Sequence, residues 1–414
     1  MKIWRMFTGA AFALGVAALC FVAQPNSPAR AAQYTNCMPT TGTISGLTFS
    51  TDVTQALQSL NSSNLGATAP ATDCSAAPIA GQIWLNSSTT PQQYEIYDGS
   101  SWEVIGYLNT STHVWTPNSN SFGFRNRIIN GGDDVDQRNS FASQTVTTSG
   151  AYTDDRFYAF TTGASATGQN VAGTVGVSRR QYQFTGAASV TGITRCQRIE
   201  TANSIDLAGS TATFSAYLSN SLLTSVTWSV SYATSADSFG TLTSPTVTTI
   251  SSGAFTVSST LARYSATVSV PTAAVTGLQV CLSVGSQTSG TWVIANEQFE
   301  AGSAATAFER RPIGVELALC QRYYQQVIGA SSGNLGVIGY AGAATGFVSN
   351  MFTIPTMRTV PTFSIIGTWN YVNTSTLLSS ATVSTLVLQV QATAAGQTYA
   401  QTTAGAGFSL SAEL

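Results

Sequence analysis

The stretch "SVTWSVSYAT", residues 225–234, decides the fold because its apolar residues recur at every second position. Val226, Trp228 and Val230 alternate with Ser and Thr, and Tyr232 continues the pattern. A period of two places alternate side chains on opposite faces of a β-strand. We therefore predict a strand with one buried face, and we assign Trp228 to the core rather than to a ligand site.

Segments of similar composition flank this strand, separated by turns rich in Gly, Ser, Asn and Asp. Their spacing is typical of a β-sandwich, and no helical periodicity interrupts them. In the last segment Trp292 and Ile294 alternate, so both are assigned to the core. We predict an all-β jelly roll or similar sandwich over residues 126–312. The predicted strands are "FYAFTT", "VAGTVGVS", "RRQYQFTG", "TRCQRIE", "ATFSAYLS", "SVTWSVSYAT", "TVTTISS", "ARYSATVSVP", "LQVCLSVG" and "TWVIANEQFE".

A small β-hairpin module precedes the sandwich at residues 81–120. The runs "QYEIY" and "SWEVI" flank an Asp98-Gly99 pair, which is a strong turn signal between two strands. Four apolar or aromatic residues occupy alternate positions of this hairpin: Tyr94, Ile96, Trp102 and Val104. So small a module holds little core alone, and we expect it to pack on a neighbour or on copies of itself.

The N-terminal residues 1–31 have the order of features found in an export signal. Lys2 and Arg5 precede an apolar run over residues 7–23, and an Ala-x-Ala cleavage site follows at residues 29–31. We predict that residues 1–31 are removed as a signal peptide and that the mature chain has no transmembrane segment. The alternative is an uncleaved membrane anchor.

Residues 32–80 form a Ser, Thr, Ala and Pro-rich region that ends in a linker. It contains one short amphipathic helix in "STDVTQALQSL", with Ser50 or Thr51 as its N-cap. Its apolar face is made of Val53, Leu57 and Leu60.

After the sandwich the apolar period changes from two to nearly four. This pattern predicts a connecting helix over residues 313–329, entered after Pro312 and closed by Gly329. Its apolar stripe comprises Val315, Leu319, Tyr323 and Val327. Residues 330–414 return to short β-runs, which predicts a small C-terminal β tip domain.

The composition excludes several kinds of chemistry. The chain has 16 basic residues against 18 acidic ones, and its only lysine, Lys2, leaves with the signal peptide. An acidic, lysine-free surface disfavours nucleic acid, and the missing lysine rules out Schiff-base catalysis and a Walker-type phosphate loop. His113 is the only histidine, so a His-based zinc site cannot form. It lies among turn-forming residues, and we predict a structural surface histidine.

Five cysteines remain once Cys20 is removed with the signal peptide. Cys37 and Cys74 share the small N-terminal region of an exported chain, and we predict a disulfide between them. The other three fall inside apolar segments, where each is interpreted as a buried small hydrophobe. These are Cys196, Cys281 and Cys320.

Four stretches, taken in order, resemble modules of bacteriophage tail fibre and receptor-binding proteins. They are "GQIWLNSS...YEIYDGSSWEVIG", "NRIINGGDDVDQRN...YTDDRFYAF", "NEQFEAGSAATAFERRPIGVELALCQRYYQ" and "FTIPTMRTVPTFS". The resemblance covers roughly residues 78–365 and implies a carbohydrate-binding-type jelly roll followed by a C-terminal tip. It also implies a homotrimer, with the helix from Val315 to Val327 as a contact near the axis.

The resemblance implies a non-enzymatic receptor-binding protein that recognises cell-surface polysaccharide. The abundant Ser, Thr, Asn and Gln side chains match the hydrogen-bonding groups of neutral sugars. Tail fibres normally carry no export signal, so an exported bacterial adhesin or lectin built from the same modules is an alternative. A third reading is a tail-spike-type depolymerase. Expected locations are accordingly the cell exterior or surface, or the virion tail.

The acidic stretch "NGGDDVDQR", residues 130–138, has three interpretations. The first is a turn, which suits Gly, Asn and Asp. The second is a structural calcium site, because related jelly rolls often hold calcium near their first and last strands. Its oxygen donors would be Asp133, Asp134, Asp136, Asn296 and Glu297.

The third interpretation is catalysis by a carboxylate pair, as in glycosidases. Asp154 with Asp155 and Glu297 with Glu300 are the candidate pairs, although we expect no catalytic residue. Asp154 and Asp155 also precede Arg156, and we interpret them as strand-end residues in a local ion pair.

Overall fold

The chain divides into two compact units, Met1–Gly123 and Phe124–Leu414. The computed structural model describes residues 45–61, 64–70, 78–117, 124–333 and 335–414. The expected signal peptide, residues 1–31, and the expected Cys37–Cys74 disulfide lie outside the described residues.

The first unit begins with helix α1, Gly46–Asn61. The predicted helix is present, but its cap was assigned wrongly to Ser50 or Thr51. The Ser45 hydroxyl accepts the Thr48 amide at 3.0 Å and therefore occupies the N-cap position. Thr51 lies inside the helix, where its hydroxyl donates to a carbonyl one turn earlier at 2.9 Å.

Four antiparallel strands form the sheet of the first unit in the order β1-β2-β3-β4. They are β1 Ile83–Asn86, β2 Gln92–Tyr97, β3 Trp102–Asn109 and β4 Val114–Pro117. The predicted hairpin is β2-β3, and Asp98 closes its turn by accepting the Ser100 and Ser101 amides at 2.6 and 2.8 Å. His113 is exposed in the turn before β4, as expected.

The register of this hairpin separates its apolar residues. Tyr97 pairs with Trp102 across the turn, so Trp102 and Val104 lie on the face opposite to Tyr94 and Ile96. Both faces of this small sheet therefore carry aromatic side chains.

Two six-stranded antiparallel sheets form the sandwich of the second unit. Sheet I has the order β13-β12-β15-β10-β7-β6, and sheet II has the order β14-β11-β16-β9-β8-β5. The strands are β5 Gln144–Val146, β6 Ala151–Tyr152, β7 Phe157–Thr162, β8 Ala166–Ala172, β9 Arg180–Thr185, β10 Gly192–Ile199, β11 Thr211–Asn220, β12 Ser225–Ala233, β13 Val247–Thr256, β14 Ala262–Ser269, β15 Leu278–Val284 and β16 Thr291–Ala301. Two single-turn 3-10 helices lie between β10 and β11, Thr201–Asn203 and Ile205–Leu207.

The sandwich core lies between these sheets and includes both predicted tryptophans. Trp228 and Trp292 are buried, and the Trp292 ring stacks on Phe184 with centroids 5.2 Å apart. Burying one such side chain contributes roughly 1.5–3 kcal/mol. The all-β assignment and the core role of both tryptophans are confirmed.

One predicted strand, over residues 171–178, lies earlier in the chain than predicted. The run "VAGTVGVS" contributes only its first two residues to β8, and residues 174–178 turn back toward β9. Gly173 explains the change, because a Cβ there would lie 2.2 Å from the Ser178 carbonyl oxygen. The close backbone approach at this turn requires glycine.

The connecting helix is shorter than predicted. Helix α2 spans Ile313–Gln321, and β17, Tyr324–Ile328, replaces the predicted last two turns. In β17 Val327 pairs with Phe408, so a distant strand overrides the local helical period. The predicted stripe from Val315 to Val327 therefore does not form one helical face.

None of the described helices is long and apolar enough to cross a membrane.

Three three-stranded sheets form the C-terminal β-domain around a second hydrophobic core. Sheet III has the order β17-β25-β20, sheet IV β18-β24-β21 and sheet V β19-β23-β22. The remaining strands are β18 Gly336–Ala341, β19 Phe347–Thr353, β20 Thr362–Ile366, β21 Trp369–Val372, β22 Leu377–Ala381, β23 Thr385–Gln391, β24 Gly396–Thr402 and β25 Gly407–Ser411. Leu388, Phe408 and Leu410 are buried in its core.

Cys196 and Cys281 form a disulfide, so their interpretation as separate buried thiols was wrong. They lie opposite each other on β10 and β15, with Cα atoms 4.1 Å apart. Both alternate with core residues and therefore lie on the outer face of sheet I. Cys320 is a buried free thiol, as expected.

Candidate functional site

The acidic stretch forms a turn. Asn130 and Asp133 have φ values of 61° and 54°, and the Asp133 amide donates to the Asn130 carbonyl at 2.9 Å. Between them, a Cβ on Gly131 would lie 2.0 Å from the Glu297 carbonyl oxygen, so only glycine fits. The Asn130 side chain accepts the Val135 amide at 2.9 Å and thereby fixes the exit of the turn.

The turn places the Asp133 side chain beside the buried guanidinium of Arg195. Arg195 points inward from β10 and forms a hydrogen-bonded ion pair with Asp133. Its nitrogens also lie 3.3 Å from an oxygen of Asp154 and 3.3 Å from an oxygen of Glu297. All four side chains are almost fully buried. The Arg195 guanidinium lies 3.9 Å from the Phe157 ring centroid, so the cluster is enclosed by the aromatic core.

Burial dominates the electrostatics of this Arg195 cluster. Desolvation raises the pKa of Asp133 and raises that of Asp154 well above its ordinary value, although Arg195 opposes both shifts. Desolvation also raises the pKa of Glu297 to about 7. Desolvation acts to lower the pKa of Arg195, but attraction to Asp133, Asp154 and Glu297 raises it above the ordinary value. The guanidinium therefore stays charged.

The five expected calcium donors do not converge on one centre. Asp133 and Glu297 face Arg195, whereas the Asp134 carboxylate lies 3.6 Å from Arg179 Nε. The Asp136 carboxylate accepts backbone amides at 2.8 and 3.0 Å, and the Asn296 amide donates to a carbonyl at 2.8 Å.

Four of these side chains keep one buried oxygen without a hydrogen-bond donor: Asp133, Asp134, Asn296 and Glu297. Among the described residues, however, no group of three or more acidic, His or Cys side chains is arranged to hold a metal ion. Arg195 already supplies the positive charge at Asp133 and Glu297. The residues therefore do not fit a single calcium ion.

The candidate catalytic carboxylates are also buried and engaged. Asp155 accepts hydrogen bonds from the Gln137 amide and side chain, and Glu300 lies 3.4 Å from Arg125 Nε. The local ion pair that the sequence predicted for Arg156 was wrong, because Arg156 pairs with Glu413 instead. Neither the Asp154/Asp155 pair nor the Glu297/Glu300 pair is open to a polysaccharide.

An uncharged surface lies on the outer face of sheet II. The register of β5, β8, β9 and β16 aligns four threonines in one row: Thr145, Thr167, Thr185 and Thr291. A second row crosses β8, β9, β16 and β11: Gln169, Gln183, Val293 and Ser219. We call these eight residues, of which Ser219 is buried, the hydroxyl-amide face. It has hydroxyl and amide groups and no ionisable side chain.

Sequence reasoning missed this face for a physical reason. Its residues come from five strands, and only their pairing register shows that they align. Alternation identifies Thr185 and Gln183 as outward residues of β9, but it does not identify their neighbours across the sheet.

Comparisons with known proteins give matches among solved structures only. No protein-family profile matches the chain, and no curated protein sequence matches it. A family 4 carbohydrate-binding module is 13% identical, with 42% of this chain and 98% of that chain covered and a TM-score of 0.28. The C-terminal family 22 carbohydrate-binding module of Clostridium thermocellum Xyn10B is 14% identical, with 36% and 89% covered and a TM-score of 0.26.

The enzymatically active domain of bacteriophage CBA120 tailspike protein 4 is 16% identical, with 43% of this chain and 22% of that chain covered and a TM-score of 0.28. The chain is thus similar, over part of its length, to carbohydrate-binding modules of the β-sandwich type and to part of a tailspike, and these values assign it to no family.

Proposed function

We propose that this chain is a non-catalytic protein that binds neutral polysaccharide on a cell surface. The hydroxyl-amide face carries the proposal. An antiparallel sheet that merely faces water usually presents charged as well as neutral polar residues. Here accessible hydroxyl and amide groups align over four strands, β5, β8, β9 and β16, and they match the donors and acceptors of sugar hydroxyls.

The absence of catalysis is part of the proposal. It is supported by the burial of Asp154, Asp155, Glu297 and Glu300 and by their engagement with protein partners. Glycoside hydrolysis needs two carboxyl groups that flank the bond to be cleaved. Buried carboxyls cannot flank a bond in a bound polysaccharide.

Within this function we propose a receptor-binding role of the phage tail-fibre type, located on the virion tail. The sequence resemblance of residues 78–365 supports it. The alternative is an exported adhesin of the same modules, secreted or held at the cell surface, which the signal-like residues 1–31 favour. Tail, baseplate and lysis genes beside the coding sequence would favour the virion role.

We also propose that three copies assemble. The number comes from the resemblance, and an apolar surface on sheet V supports self-association. Phe347, Met351 and Leu378 project from its outer face and are 55%, 68% and 44% exposed. Exposed apolar patches mark association surfaces. Light scattering should give three times the chain mass, and a monomer at micromolar concentration would contradict assembly.

Binding of the full chain to purified cell-surface polysaccharide tests the proposal. Replacing Gln169 and Gln183 together with Ala should weaken binding about tenfold, because the Gln183 amide and the Gln169 amide oxygen are lost as partners. The Gln169 amide nitrogen donates to the Phe141 carbonyl at 3.2 Å and is not counted as a sugar contact. The matched control is Thr227→Ala, on the outer face of sheet I, which should bind like the parent. Binding should also survive roughly 0.5 M salt, since no ion pair contributes. Loss of binding in salt, or release of reducing ends over time, would contradict the mechanism.

A further inference from the structure

The surface of the C-terminal domain is almost uncharged. Residues 324–414 contain only two charged side chains, Arg358 and Glu413. Both make contacts within the second unit: Arg358 Nε donates to the Ala412 carbonyl at 3.0 Å, and Glu413 lies 2.7 Å from Arg138. Neither charge is free to attract a ligand from solution.

One outer face of this domain presents two tyrosines among amides. On sheet IV, Ile338, Tyr399 and Val372 form one row, Tyr340 pairs with Gln397, and Gln401 pairs with Asn370. We call these seven residues the tyrosine-amide face. They alternate with buried residues of the same strands, so they point away from the core. Tyr340 is 76% exposed.

The polar groups of this face are not used inside the protein. In the described part of the chain, no hydrogen bond is made by the side chains of Tyr340, Tyr399, Asn370, Gln397 or Gln401. On sheet V, by contrast, Gln389 donates to Ser349 at 2.9 Å. The tyrosine-amide face therefore keeps two phenol and three amide groups available for a ligand.

We propose that the tyrosine-amide face is a second glycan-binding site, separate from the hydroxyl-amide face, for a neutral glycan. The proposal rests on the proposed function. The flat ring of Tyr340 offers an apolar surface to the C–H face of a sugar ring, and the amides pair with its hydroxyls. A second copy of the chain suits this face less than it suits sheet V, because it would bury five unpaired polar groups.

Tyr340 variants of the full chain test the site with the same purified polysaccharide. Tyr340→Ala should weaken binding at least fivefold, because the stacking surface is lost. Tyr340→Phe keeps the ring and should remain within about threefold of the parent. Tyr340→Leu keeps apolar area without a flat ring and should bind as weakly as Tyr340→Ala. Tyr371→Ala, on the other side of the same sheet, is the control and should bind like the parent.

The outcomes separate this proposal from the proposed function. If the parent binds no polysaccharide, the proposed function fails. If the Gln169/Gln183 variant loses binding while Tyr340→Ala does not, the second site is overturned and the proposed function stands. If Tyr340→Ala lowers the mass measured by light scattering, the face is a contact between copies and the proposal is overturned. Because Tyr340 is exposed, melting temperatures should match, and Tyr340→Phe provides the comparison if they do not.

Discussion

Arg195 is the single residue on which the polar interior of the jelly roll depends most. It contacts carboxyl groups from three separate segments, Asp133, Asp154 and Glu297, all almost fully buried. Its single positive charge balances one carboxylate, and burial raises the pKa values of all three acids. A buried ion cluster adds little net stability over an apolar core of equal volume. Removing one partner is costly, because it leaves the opposite charges buried and unpaired.

We expect Arg195→Met to lower the free energy of unfolding by about 3–5 kcal/mol. Urea denaturation followed by tryptophan fluorescence measures the change. The matched control is Arg179→Met, whose partner Asp134 is near the surface and whose own side chain is 64% exposed. That substitution should cost about 0–1 kcal/mol. Equal losses for the two variants would show that burial of the Arg195 cluster is unimportant.

Glu297 makes stability depend on pH. Its pKa is about 7 in the folded protein, against 4.5 for an ordinary glutamate. The folded state therefore binds more protons than the unfolded state between these values. The stability contributed by Glu297 is fully present below about pH 4.5 and is lost as the pH rises through about 7. Linkage gives a total loss of roughly 3 kcal/mol over this window.

Urea denaturation at pH 4.5, 5.5, 6.5 and 7.5 tests this dependence. Glu297→Gln resembles the protonated side chain and should flatten the decline between pH 4.5 and 7. Desolvation also raises the pKa values of Asp133 and Asp154, so some decline should remain in the variant. An identical decline in parent and variant would show that Glu297 does not titrate in this window.

At the scale of elements, the disulfide joins the middle strands of sheet I. Cys196 and Cys281 are 85 residues apart in sequence and lie on the adjacent strands β10 and β15. Replacing both with Ser should lower the free energy of unfolding by roughly 4 kcal/mol, because the unfolded chain loses a large closed loop. Denaturation with and without dithiothreitol measures the effect. The reductant should destabilise the parent and leave the double variant unchanged.

The elements show how far sequence reasoning extends. Alternation located most strands of the sandwich, because a strand between core and solvent must follow the period of two. The same reasoning gave α2 eight residues too many at its C-terminal end, since the pairing of Val327 with Phe408 is not visible locally. The disulfide escaped prediction because Cys196 and Cys281 meet only through the register of distant strands.

Prediction of the candidate sites from the sequence was limited for the same reason, because their residues come from segments that are distant in sequence. The acidic turn was recognised, but its partner was not, because Arg195 lies 62 residues after Asp133 in sequence. The alternation of apolar and polar residues along a strand does not reveal either uncharged face. This alternation shows that Tyr340 points outward, but only the strand pairing shows that Gln397 lies beside it.

At the scale of the second unit, the C-terminal domain is tied to the jelly roll through Glu413. This carboxylate lies 2.7 Å from Arg138 and pairs with Arg156, which is almost fully buried. A main-chain oxygen of Leu414 accepts hydrogen bonds from Arg198 and Tyr152 at 2.7 and 3.0 Å. The two domains therefore share one set of buried charges.

Glu413→Gln should lower the free energy of unfolding by about 3–5 kcal/mol, because Arg156 and Arg138 lose their carboxylate partner. Calorimetry should also show the jelly roll and C-terminal domain unfolding less cooperatively than in the parent. Asp206→Asn is the control, since the Asp206 side chain in the pair with Arg127 is 54% exposed, and it should cost about 0–1 kcal/mol. A single unchanged transition in Glu413→Gln would contradict this coupling.

The pairing of Arg156 with Glu413 also sets an order for synthesis on the ribosome. A further 257 residues must be added after Arg156 before its carboxylate partner exists. Domains commonly fold while the chain is still emerging, at about 5–20 residues per second. For the tens of seconds before Glu413 is made, the nascent jelly roll carries Arg138 and Arg156 without this partner. The ion pairs of Arg138 and Arg156 with Glu413 therefore form only after the whole jelly roll has been synthesised.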